Sequence, residues 1–124
     1  MDAQSQALKL RTKQFAVQVI KLLKNLPPSM ESRTIGRQLL RSATSIAANY
    51  RAACRGRSRA EFLAKLGIVV EEADETAFWL ELLAEAEIVS EDRLDGLAQE
   101  ANELLAIFAA AQLTTKRNMA ESGV

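Results

Sequence analysis

Apolar residues return along the first part of the chain at helical spacing. Leu8, Phe15, Val19, Leu22 and Leu26 share one face, which predicts an amphipathic helix over about 4–26. Pro27-Pro28 stops it, because proline lacks an amide donor and constrains the residue before it. A second periodic stretch, over about 31–55, places Ile35, Leu39, Ala43, Ile46, Tyr50 and Cys54 on its core side. It ends at Gly56, a residue suited to the end of a helix. The third opens on Ser58-Arg59-Ala60-Glu61, a capping-box pattern, and runs over about 58–88. Ser90-Glu91-Asp92 opens the fourth, over about 90–113, with two acids at the positive end of the helix dipole. The polar remainder, over about 114–124, is expected to fray. Four long helices with short links predict one all-α domain over 1–124, an antiparallel up-down-up-down four-helix bundle.

The third helix has more apolar surface than one core can use. Phe62, Leu66, Val69, Val70, Ala73, Ala77, Leu80 and Ala84 form its core stripe, while Ile68, Phe78, Trp79 and Leu82 project from the other side among Glu71, Glu72 and Glu75. A helix that is apolar on two sides is buried on two sides, and in a small bundle the second side points to a homo-oligomer interface. The competing reading has Trp79 close one corner of the monomer's own core.

Composition supports the helices: hydrophobic residues make up 48% of the 124 residues and aromatics only 5%, a palette of helix formers. No apolar run reaches the length of a membrane span, and the N-terminal segment is not an export signal, so a cytoplasmic protein is expected. Net charge is zero, but its distribution is lopsided. Up to Lys65 thirteen Lys and Arg stand against three acids; beyond it three stand against thirteen. Such asymmetry suits a polyanion partner or head-to-tail assembly.

The second helix gathers its positive charge on one face. At about 100° per residue, Arg33, Arg37, Arg41, Arg51 and Arg55 fall within a sector of roughly 80°, and Arg57 and Arg59 carry the charge into the next turn. A guanidinium donates two hydrogen bonds to one phosphate, so the row fits a nucleic-acid backbone. No aromatic or amide is interleaved, which favours phosphate contact over base readout of DNA or RNA. The alternative is a solvated face paired with acids of the third and fourth helices.

Catalytic chemistry is scarce. The chain has no histidine, which removes the commonest acid–base group and metal ligand. Cys54 lies on an apolar face and reads as a small core residue. Glu71, Glu72 and Glu75 lack the Glu-x-x-His partner of a di-iron bundle. No enzyme, metal or cofactor is expected.

Three segments together carry a family resemblance: QLLRSATSIAANYRAA at Gln38–Ala53, SRAEFLAKLGIVVEEADET at Ser58–Thr76, and FWLELL at Phe78–Leu83. Over roughly Phe15 to Phe108 the chain resembles the bacterial four-helix-bundle proteins of ribosomal-RNA intervening sequences, a family that includes the accessory variability determinants of diversity-generating retroelements. Ala52 departs from the pattern, since many relatives have Glu there. The resemblance implies a ring of five identical subunits, a homopentamer. For the retroelement relatives it also implies basic surfaces that engage nucleic acid and a protein partner. Two functions therefore stay open: a nucleic-acid-binding ring, or a scaffold that recruits a protein partner while its arginines pair with acids of the next subunit.

Overall fold

Asp2 starts the first helix by accepting the Ser5 amide on Oδ1 at 2.7 Å, which satisfies one of the free amides of the first turn. In a computed structural model, described here for residues 2–122, this helix is α1 (Ala3–Leu23), followed by α2 (Met30–Cys54), α3 (Arg59–Glu85) and α4 (Glu91–Glu121). Among the described residues there are four helices and no strand.

Local chemistry sets the ends. The chain turns off α1 before the prolines, through three-residue hydrogen bonds from Asn25 N–H to Leu22 O and from Leu26 N–H to Leu23 O. Leu26 cannot stay helical comfortably in front of Pro27, so α1 ends three residues before the position that the spacing predicts. Ser29 caps α2 by accepting the Ser32 amide at 3.1 Å. Ser58 caps α3 by accepting the Glu61 amide at 3.1 Å. Glu61 reaches back in turn, but to the Arg57 amide at 2.6 Å, one residue before the cap. Gly56 matters for space: a Cβ there would lie 3.1 Å from Ala53 O and 3.3 Å from Phe62 N, where α2 hands over to α3.

Helix α3 stops at Glu85, three residues short of the expected end. Glu87 adopts φ 59°, the left-handed conformation. Its N–H bonds Ala84 O at 3.0 Å, and Ile88 N–H reaches Leu83 O at 3.0 Å. This is the Schellman arrangement, with glutamate where glycine is usual. At the other end of the chain, the expected frayed tail is helical: α4 continues to Glu121. Lys116, Arg117, Met119, Ala120 and Glu121 are good helix formers, and no glycine or proline interrupts them. Most of this stretch faces solvent, with only Thr115 and Met119 half-buried, so its polarity does not mark a helix end.

Short links force consecutive helices to run antiparallel. Each helix lies against its sequence neighbours, whereas α1 and α4 touch only sparingly, and neither diagonal pair makes contact. The most extensive seam joins α2 to α3, where Ser42, Ala43, Ala73, Thr76 and Ala77 are all small and buried. Thr76 Oγ1 lies 2.9 Å from Ser42 Oγ inside that seam, and no buried side-chain polar atom among the described residues lacks a partner. The core itself is Phe15, Val19, Leu39, Ile46, Leu66, Val69, Leu80, Leu83, Leu104 and Phe108, all nearly inaccessible to water. The Tyr50 ring rests on Phe108 with centroids 5.0 Å apart.

Candidate nucleic-acid and assembly surfaces

Because the apolar positions of α2 turn inward, its arginines must point out. Arg33, Arg37, Arg41, Arg51 and Arg55 are exposed, as are Arg57 and Arg59 in and just after the turn. From Arg33 to Arg55 the row extends about 33 Å at 1.5 Å per residue.

The row is not uniform. Arg41 reaches across to α3, with its guanidinium 2.9 Å from Glu72 and 2.5 Å from Glu75. The Glu75 hydrogen bond holds Arg41 charged above the ordinary guanidinium range, and Arg41 in turn keeps the Glu75 carboxyl below the ordinary glutamate range. Arg41 is therefore occupied within its own chain. For the other six, no described acid comes within ion-pair distance. A row of unneutralised like charges repels itself and favours a polyanion.

Helix α1 adds to this surface, which the charge pattern of α2 does not announce. Lys9 and Lys13 line a groove of about 620 Å³ together with Arg51, over a floor of Thr44, Ala47 and Ala48. Their spacing of four residues, on the side of α1 away from Gln14 and Gln18, is the one signal in the sequence that locates them. At the other end Arg33 and Arg37 flank an apolar notch of about 410 Å³ formed by Leu23, Leu26, Pro27, Pro28 and Leu40. Arg55 and Arg57 border a shallow recess with Lys65, in which Glu61 is the only acid.

The second apolar face of α3 divides in two. Phe78 is 51% exposed and Ile68 37%, so both project into water. Trp79 and Leu82 are half-buried. Trp79 rests against the core, donates its indole N–H to Glu75 at 3.1 Å, and meets Phe78 edge-on at 5.0 Å between centroids. Glu75 thus ties Trp79 to Arg41. On the opposite side, Arg11 clasps α4 through two hydrogen bonds to Glu100, at 2.6 and 2.7 Å. That ion pair spans the sparse α1–α4 seam beside a groove of about 770 Å³.

Among the described residues no three His, Cys, Asp or Glu side chains gather as metal ligands would. Glu72 and Glu75 are taken up by Arg41 instead. No described helix is long and apolar enough to cross a membrane.

Residues 6–110 match the family model described as 23S rRNA-intervening sequence protein. Among solved structures, the chain is similar to a protein of unknown function from the S23 ribosomal protein family of Bacteroides thetaiotaomicron. The two are 33% identical with a TM-score of 0.80, over 87% of this chain and 96% of that one. No curated protein matches.

Proposed function

The chain belongs to the family of 23S rRNA-intervening sequence proteins, and we propose that it is a non-enzymatic, cytoplasmic homo-oligomer, a ring of five, that holds nucleic acid through its α1–α2 surface without strong sequence preference. The observation that supports this reading is the set of exposed arginines whose guanidinium groups have no described acid within ion-pair distance: Arg33, Arg37, Arg51, Arg55, Arg57 and Arg59. Lys9, which lines the groove with Arg51, enlarges the surface. Guanidinium and ammonium groups without neighbouring amides or aromatics meet phosphate oxygens, not base edges. A ring multiplies a weak patch through avidity. Arg41 is left out of the phosphate set, since Glu72 and Glu75 already neutralise it.

The test is salt dependence. Removing a single arginine–phosphate pair flattens the slope of log affinity against log salt by about one unit. Arg37→Ala with Arg55→Ala is expected to weaken binding to every sequence alike and to reduce the slope by about two. Arg41→Ala is expected to leave the slope nearly unchanged. A wild type that binds neither DNA nor RNA at low salt overturns the proposal and leaves a scaffold for a protein partner as the function.

A further inference from the structure

Two helices carry most of the large apolar side chains that the fold leaves in water. On α1 these are Leu10, Val17 and Ile20, and on α3 Ile68 and Phe78. Helices α1 and α3 occupy diagonal corners of the bundle, because each contacts α2 and α4 but not the other. Their outward faces therefore point away from each other.

Both outward faces follow a period of seven. On α1 the sequence Leu10, Lys13, Val17, Ile20, Lys24 advances by three and four residues in turn. On α3 the sequence Ile68, Glu71, Glu75, Phe78, Leu82, Glu85 does the same. That alternation keeps each set on one line along its helix, so apolar and charged side chains share a single outward strip on each. The charged members differ in sign: every one on α1 is lysine, and every one on α3 is glutamate.

We infer that the outward face of α1 receives the outward face of α3 from a second copy of this chain. The inference rests on the homo-oligomer reading above and assigns its missing half, the acceptor surface. Pairing runs parallel. Within one bundle α1 and α3 point the same way, and rotation about an axis along the bundle preserves that direction, so neighbouring subunits bring them together head to head. In that register Leu10 lies beside Ile68, Lys13 beside Glu71 and Ile20 beside Phe78, while Val17 falls beside Glu75 and Lys24 beside Leu82, three residues before Glu85. The antiparallel register instead sets Lys13 on Glu75, which Arg41 and Trp79 already occupy. The two faces are different surfaces on opposite sides of the molecule, so the contact is heterologous and can propagate until a ring closes. None of the six unpaired arginines lies on either strip.

The experiment uses the full chain with Cys54→Ala. One protein carries Ile20→Cys and another Phe78→Cys; the two are mixed and mildly oxidised, and disulfide-linked dimers are expected on a non-reducing gel. The pair Leu10→Cys with Phe78→Cys, which fits only the antiparallel register, is expected to stay unlinked. In parallel, Lys13→Glu with Lys24→Glu is expected to reduce the light-scattering mass to that of a monomer. Mixing that variant with Glu71→Lys, Glu85→Lys is expected to restore association, while circular dichroism shows both variants helical. If the wild type is itself a monomer, the homo-oligomer reading falls and this inference with it. If the wild type is oligomeric but the lysine variant keeps its mass and Ile20 does not link to Phe78, the α1 surface alone is overturned. Linking of Leu10 to Phe78 without Ile20 to Phe78 overturns the parallel pairing.

Discussion

Replacing Glu87 by glycine should stabilise the protein. Glu87 ends α3 at φ 59°, where the Cβ of an L-residue crowds the following carbonyl at a cost of roughly 1–2 kcal/mol. Glycine removes that crowding but gives the unfolded chain more freedom, which returns roughly 0.5–1 kcal/mol. Removing a negative charge from the negative end of a helix adds about 0.3 kcal/mol. The net gain is about 1 kcal/mol, with the hydrogen bonds of Glu87 and Ile88 to Ala84 and Leu83 unchanged. At an unfolding entropy of about 2.1 cal/mol/K per residue, a chain of 124 residues should gain about 4 °C in Tm. Circular dichroism melts at matched protein concentration measure it, because assembly raises Tm by mass action. Glu87→Ala is the control: it loses the charge but keeps the Cβ, so it should gain only about 0.3 kcal/mol. If glycine proves no better than alanine, left-handed strain at position 87 is refuted.

Three further outcomes follow from the packing and the ion pairs. The Glu75 carboxyl is held below its usual 4.5, first by Arg41 and then by Trp79, so its contribution is complete above the unfolded value and lost as pH falls through the lower folded one. Tryptophan fluorescence should therefore change on acidification below about pH 4.5, and Glu75→Gln should abolish that step; an unchanged titration in the variant would place the step elsewhere. Leu104→Ala empties a site with no solvent access at the centre of α4 and should cost about 2–5 kcal/mol, read from urea midpoints; a cost below about 1 kcal/mol would contradict the tight core. Thr76→Val removes the bond to Ser42 across the α2–α3 seam and leaves Ser42 only its 3.3 Å bond to Leu39 O, so the double variant with Ser42→Ala should lie closer to wild type than the sum of the two single effects, as a double-mutant cycle would report.

Much of the fold is legible in the order of residues because the punctuation is chemical. Pro27-Pro28, Gly56 and Ser58 act within a turn of where they stand, and Ser90 holds the N-cap position of α4 although its side chain makes no capping bond, so four helices can be read one at a time. The ends are less legible. Glu87 makes a left-handed turn without the glycine that would announce it. The stretch after Leu113 is polar, which resembles a tail, yet its residues favour helix and α4 keeps them. The arginine row follows from spacing alone, but the engagement of Arg41 by Glu72 and Glu75 depends on how far α3 is rotated and slid against α2. No periodicity encodes that offset. The same rotation draws Trp79 halfway into the core while Phe78, one residue earlier, stays in water.

The sparse α1–α4 seam has a consequence for how the chain reaches this state. Nearly all inter-helix contact joins segments that are adjacent in sequence, so little loop-closure entropy opposes any single step. Topologies dominated by local contacts fold on microsecond to millisecond timescales. An α1–α2 hairpin can form before α3 exists, and α3 and α4 can then dock in the order in which a ribosome releases them. The pairing of first helix with last, which must wait for the whole chain, is sparse, and Arg11 bridges it to Glu100 and Glu103.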